Sequence, residues 1–429
     1  MNITLKSLRK CIPTGVAAVI GLFVVFDWKP VDAEATTVRA QSFIRDAEIE
    51  NTIRAYATPL FRAAGLEPSN VKIFLVNDRS LNAFVARGQN LFINTGLLME
   101  SEHAGQIIGV IAHETGHIAA AHIVRAHEAM NKIGNRLIAR PLFISYLRTQ
   151  EATADQAAVR LLDSTGQSAR GLVEFLEVLE DQELLPPKHQ DRYVRTHPLA
   201  RERISYLRLH LSESPFSDKP ISRQFEVMHR RMQAKLHGFL DPVSSTLQRY
   251  KESDGNLASR LARAVALSRK PDLSKALPLI DGLIAELPDD PYLHALKGQM
   301  LFENGRVAEA IGPYETAVRL LPNAPLLRVS LAASQIETND PAQNSRAIEH
   351  LRTAVRVDPG DPHAWYRLSV ALGRDGQLGL SAAASSEHAL LLGRRAEARH
   401  HAVRALKRLP VNSPDALRAE DLLLSAQEG

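Results

Sequence analysis

The chain is short of cysteine, of aromatic residues and of long apolar runs. Cys11 is the single cysteine among 429 residues. It lies in an N-terminal segment expected to be removed, so the mature chain is expected to hold no disulfide. A chain of this length has core enough to fold without such staples. Cys11 also precedes the apolar run instead of following it, which argues against a lipoprotein signal. Aromatics make up only 5% of the residues, and β-branched residues thin out towards the C-terminus. Ala, Leu, Glu, Arg and Gln dominate, which gives the composition a helical lean. The one apolar run, Gly15 to Phe26, has about 12 residues, fewer than the ~20 a spanning helix needs. A concentrated basic stripe is missing too. The net charge is +4, so no nucleic-acid partner is expected.

What is present begins with a segment of export type. Lys6, Arg9 and Lys10 precede the apolar run, and Val31-Asp32-Ala33 supplies small residues for cleavage. Residues 1–33 read as a signal peptide. The alternative is an uncleaved segment that anchors the chain to a membrane. Cleavage after Ala33 removes four basic and two acidic residues and lowers the net charge to +2. The bulk of the chain is therefore expected to be exported, with peripheral membrane contact as an accessory.

The remaining length suits two or three domains. Residues 36–210 read as one α+β domain, 211–250 as a helical connector and 251–429 as an all-α array. The first domain opens with a helical pattern from Thr36 to Ala64. A strand follows over Val71–Val76. Ala83–Ala86 and Asn90–Ile93 flank Arg87-Gly88-Gln89 as a hairpin. Helix resumes at Gly96, and a long apolar helix runs from about Ala104 to Glu128.

The array repeats. Pro288, Pro322 and Pro359 close helical stretches 34 and 37 residues apart. A unit starting at Pro291 puts Gly298, Gly305, Ala310, Tyr314, Ala317 and Pro322 in the small and aromatic slots of a tetratricopeptide repeat. Units starting at Leu257, Pro325 and Pro362 fall in phase, the third after a three-residue insertion around 341–346. Residues 396–409 read as a degenerate cap. Such solenoids commonly bind peptides or partner proteins.

The sharpest chemical motif is His113-Glu114-Thr115-Gly116-His117. Histidines at i and i+4 share a helix face, and both can reach one zinc ion. Glu114 can take the proton of a water activated by that ion. Ile107, Ile108, Val110, Ile111 and Ala112 bury the helix. Ile123 occupies the place where one peptidase class carries a third histidine, which excludes that class. His122 and His127 are out of register and read as polar-face residues. Glu151 and Asp155 sit i, i+4 at the opening of a second helical stretch. One of them can bind the metal while the other accepts a ring N–H from a ligating histidine.

The helix motif followed by Glu151-Ala152-Thr153-Ala154-Asp155 resembles the gluzincin peptidases of the HtpX and CAAX-prenyl-protease family, in which E-x-x-A-D follows the helix. That resemblance implies one zinc ion per chain held by His113, His117 and Glu151, with Glu114 as catalytic base and Asp155 orienting a histidine. Asn82-Ala83-Phe84, with Gly88 and Thr95–Leu98, is similar to the family's edge strand, which would pair with an extended substrate. His197-Pro198, with Arg203 six residues after the histidine, resembles its late active-site motif. His197 would then hold an oxyanion or cap the metal. A plain loop histidine before proline is an equal reading.

The resemblance covers residues 40–210. Signal, peptidase and array together resemble the BepA-like periplasmic proteases. This implies unfolded or misassembled protein substrates, and a link through the repeats to the outer-membrane protein assembly machinery. The competing reading is a chaperone-like scaffold with a latent site closed by His197. A non-enzymatic adaptor with a relict site ranks third.

Overall fold

A computed structural model describes residues 42–86, 88–120, 139–180, 193, 197 and 201–427. The expected signal peptide, Arg87, His122, Ile123, His127 and Pro198 lie outside the described residues.

Four short strands make one sheet in the order β1-β2-β4-β3. They are β1 (Phe43–Ile44), β2 (Lys72–Val76), β3 (Ala83–Ala86) and β4 (Asn90–Asn94). β2 runs parallel to β4, and the other two pairings are antiparallel. Alternation along the strands sends Ile44, Leu75, Ala83, Leu91 and Ile93 into the core. The expected hairpin is the β3–β4 pair, with β3 at the sheet edge.

The start of the domain differs from the expected helix over Thr36–Ala64. Phe43 and Ile44 pair with β2, and α1 runs only from Ala47 to Ala63. Asp46 sets that start, because its side chain caps the helix by accepting the Ile49 N–H at 2.9 Å.

The domain is mostly helical beyond the sheet. α2 (Thr95–Glu100) leads to α3 (Ala104–Ala119), and every residue of α3 from Ala104 to Ile118 is buried. α4 (Ala139–Ser164) and α5 (Arg170–Glu180) pack along it. Glu151 does not open its helix; it lies well inside α4. Gly116 explains how close α3 and α4 come. A Cβ there would sit 2.8 Å from the Ala154 carbonyl oxygen, so only glycine permits this crossing.

α6 (Arg201–Glu213) precedes α7 (Arg223–Leu240) and α8 (Val243–Arg249). α7 does more than connect. Met232 and Leu236 enter the core of the first domain, while Ala234 enters that of the array.

Five antiparallel helix pairs follow: α9 (Leu257–Ser268) with α10 (Ala276–Glu286), α11 (Pro291–Glu303) with α12 (Val307–Leu320), α13 (Pro325–Glu337) with α14 (Pro341–Val357), α15 (Pro362–Arg374) with α16 (Leu378–Leu391), and α17 (Arg395–Leu406) with α18 (Pro414–Ser425). The repeat starts fall where the spacing places them. Gly298 lets α12 approach, since a Cβ there would meet the Tyr314 ring at 2.8 Å. Among the described residues no helix is long and apolar enough to cross a membrane.

Candidate metal centre and active site

α3 brings His113, Glu114 and His117 to its buried face beneath the edge strand. The two histidine Nε2 atoms stand 3.1 Å apart. α4 adds Glu151, whose Oε2 lies 3.4 Å from His113 Nε2 and whose Oε1 lies 3.3 Å from His117 Nε2. Donors bound to one ion at ~2.0–2.1 Å in a tetrahedron stand about 3.3 Å from each other. The histidine–histidine separation is close to that edge length, and Glu151 presents one oxygen to each histidine at a similar distance. The donor set therefore fits a divalent metal.

A fourth group completes the cluster. One donor atom each from His113, His117, Glu151 and His197 fall within 4.8 Å of one another, and all four residues are buried. His197 Nε2 is also 3.3 Å from Glu114 Oε1. Its ring stacks on Tyr193, with centroids 4.4 Å apart and planes at 19°. The His197 N–H donates to the Tyr193 carbonyl at 2.7 Å. Tyr193 in turn meets Phe175 of α5 edge-on at 5.1 Å. Tyr193 was not singled out in the sequence. Its signal was there, one turn before the histidine, but only the stack gives it meaning.

Behind the cluster lies a charge relay of fixed geometry. Asp155 Oδ1 accepts from His113 Nδ1 at 2.9 Å. This puts the proton on Nδ1 and leaves Nε2 as a lone-pair donor facing the centre. Arg203 reaches over from α6 and donates twice to Asp155, at 2.6 and 2.9 Å. Its Nη1 lies 2.9 Å from Glu151 Oε2.

These contacts set the protonation states. Burial opposes the charge on Asp155, but Arg203 and the His113 hydrogen bond outweigh it and hold the carboxyl below its ordinary value. Burial likewise opposes Glu151, which His197, Arg203 and its two histidine neighbours hold well below the usual range. Burial pushes His197 down to about 3, so it stands neutral. Burial pushes Glu114 up to about 8, against the pull of His113. A carboxyl tuned towards neutrality is suited to accept a proton and return it. Among the described residues neither Glu114 oxygen has a hydrogen-bond partner of good geometry, yet the Val85 N–H of β3 is near enough to favour its charged form.

The structure thus brings together His113, Glu114, His117, Glu151, Asp155, His197 and Arg203. Ala83 is buried at the start of β3, Asn82 is buried just before it, and Phe84 is half-buried on the face of the sheet opposite Ala83.

Comparison with known proteins agrees with this arrangement. Residues 44–138 and 128–210 match the profile of peptidase family M48. Residues 261–325 and 342–389 match that of the tetratricopeptide repeat. A "Beta-barrel assembly-enhancing protease" of Yersinia pestis is 24% identical over 357 residues, which are 76% of this chain and 72% of the relative. The protein of the same name in Escherichia coli is 22% identical over 331 residues, 70% of this chain and 67% of the relative. Among solved structures, MamA of Desulfovibrio magneticus superposes on 44% of this chain and 94% of its own, at 18% identity and a TM-score of 0.29, a likeness too weak to argue from.

Proposed function

For a chain that is a metalloendopeptidase, with a peptidase family M48 domain followed by tetratricopeptide repeats, we propose a zinc enzyme that hydrolyses peptide bonds of exported proteins that have misfolded or misassembled. One zinc ion per chain would be held by His113, His117 and Glu151; two nitrogens and a carboxylate favour that metal. The observation that carries the reading is the set of 3.1, 3.3 and 3.4 Å donor separations beside the buried Glu114. The periplasmic location rests on the N-terminal basic and apolar pattern. A role in assembly of outer-membrane β-barrel proteins is supported by the names of the relatives. The repeats would recruit substrate or an assembly partner. The division into 36–210, 211–250 and 251–429 belongs to the same proposal.

A metal held there supplies Lewis acidity that polarises the peptide carbonyl and acidifies water. The chain's own groups do the rest. Glu114 takes the proton of the attacking water and passes it to the leaving amine. Asp155 keeps His113 in the tautomer that presents Nε2. Arg203 pairs with both Asp155 and Glu151 and so lessens the repulsion between two buried carboxylates. Ala83 and Val85 offer backbone groups to an extended substrate, and His197 can donate to the developing oxyanion.

Cleavage of unfolded casein by the purified chain tests this, with bound metal quantified. Glu114→Gln is expected to lower kcat by about 10²–10⁴-fold while keeping the same metal content. A wild-type chain that folds but neither holds nor takes up metal would sink the reading. His197 in the donor cluster favours a second one: a scaffold whose metal is capped at rest. In that case wild type holds metal without cleaving, and His197→Ala releases activity.

A further inference from the structure

We propose that Phe84 makes this enzyme select substrates by an aromatic or large apolar side chain, presented by a strand that adds to the edge of the sheet. The proposal rests on the reading of β3 as the substrate-binding edge and adds to it a chemical preference at one position.

The register of the hairpin fixes which groups are open. The Asn94 N–H donates to the Asn82 carbonyl at 2.9 Å, and Phe84 lies opposite Phe92 and Ala86 opposite Asn90. Antiparallel pairs alternate between hydrogen-bonded and non-hydrogen-bonded. Asn82, Phe84 and Ala86 therefore turn their backbone groups towards β4, and Ala83 and Val85 turn theirs outward. The outward Val85 N–H is the one that faces Glu114, so the open edge adjoins the reacting groups. An added strand would hydrogen-bond to Ala83 and Val85. Its intervening residue would then stand directly opposite Phe84 in a non-hydrogen-bonded pair, where Cα atoms approach to about 4.5 Å. Its side chain would lie on the Phe84 face, while its two neighbours point towards α3 and the metal donors.

That face carries a row of phenylalanines, one from each strand. Phe84 stacks on Phe92 at 4.9 Å and 7°, and Phe92 on Phe74 at 4.9 Å and 15°. Phe43 joins at 5.8 Å from Phe74. None of the four belongs to the core cluster that fills the other face of the sheet. Among the described residues the row ends at Phe84, at the edge where a substrate strand would join. A ring placed opposite Phe84 would extend the row by one member, and a small or charged residue would leave Phe84 uncovered. Cross-strand aromatic pairs are the pairs that gain most from such placement.

The test uses the full chain carrying Glu114→Gln, which binds without cutting. Ten-residue polar peptides, each with one phenylalanine walked through the positions, are titrated by fluorescence anisotropy. One position is expected to bind roughly three- to tenfold tighter than its alanine counterpart. Adding Phe84→Ala is expected to erase that preference, and Phe84→Leu to retain part of it, with thermal unfolding confirming that both variants fold. The kcat/KM profile of the wild-type chain on the same peptides is expected to peak in the same register. A flat profile, or a peak that survives Phe84→Ala, overturns the proposal. N-methylation of alternate backbone amides along the peptide, in either phase, separates the underlying reading. Weaker binding after methylation together with a flat aromatic profile keeps the edge-strand reading and rejects the preference. Binding indifferent to methylation rejects both, as does the failure of every peptide to bind.

Discussion

Arg203 stands between two buried carboxylates and is itself 4% exposed. Removing one member of such a cluster leaves the others charged and unpaired. Arg203→Met is expected to cost about 3–5 kcal/mol of stability, read by urea unfolding of the full chain. Arg203→Lys is expected to recover little, because a compact ammonium cannot reproduce the two hydrogen bonds to Asp155 and the contact to Glu151 together. Asp155→Asn acts more selectively. It weakens the acceptor that fixes the His113 tautomer, so metal affinity is expected to fall about 10–100-fold, measured by competition with a chelator. Much of this centre was legible in the sequence, for a physical reason. His113, Glu114 and His117 are tied by helical spacing, and Glu151 and Asp155 share a face by the same rule. The contacts of Arg203 were not legible, since they join helices whose relative placement no local pattern encodes. The stack of Tyr193 on His197 was hidden for the same reason.

The crossing of α3 and α4 turns two helical motifs into one site, and Gly116 permits it. Gly116→Ala puts a methyl 2.8 Å from the Ala154 carbonyl oxygen and 3.0 Å from the Ala157 side chain. The backbone on one side cannot yield cheaply, so α4 must move outward. Overpacking of this kind costs about 1–3 kcal/mol. The larger effect is on the donors, because Glu151 sits one turn from the contact. Metal affinity is expected to drop more than stability does; metal titration beside thermal unfolding checks the ratio. An equal loss of both would show that Gly116 serves packing alone. At this scale, periodicity recovered the helices well. The long repeats were read in phase because each one reuses the same small and aromatic slots. β1 was missed because Phe43–Ile44 is two residues long and borders a helix whose polar cap, Asp46, looks like part of the same run. α4 begins at Ala139, well before Glu151, and the motif from Glu151 to Asp155 carries no signal of that start.

Across the whole molecule, charged side chains tie the array to the peptidase domain. Arg231 of α7 binds Glu48 at 2.5 Å and also pairs with Asp290, the cap of α11. Lys235 binds Asp46 at 2.6 Å. Arg45 donates to Glu50 at 2.7 Å and to Asp358 at 3.0 Å, and lies 3.7 Å from Asp361, the cap of α15. Asn51 donates to the Tyr292 hydroxyl at 2.9 Å. One arginine thus reaches from β1 to the fourth repeat, so movement of the array is coupled to the segment that opens the sheet. Sequence could not foresee this, because Arg45 and Asp358 are 313 residues apart. Arg45 is only about one-fifth exposed, so its pairs are screened weakly by salt. Arg45→Ala is expected to release the fourth repeat without unfolding either domain, and leaves the metal donors untouched. Hydrogen exchange at the first turn of α15 should rise, because Asp361 loses its counterion while still capping His363 and Ala364. Exchange in α3 and the metal content should stay as in the wild type. If exchange at α15 is unchanged, the Arg45 pairs do not hold the fourth repeat, and α7 with the contacts of Arg231, Lys235 and Asn51 carries the coupling.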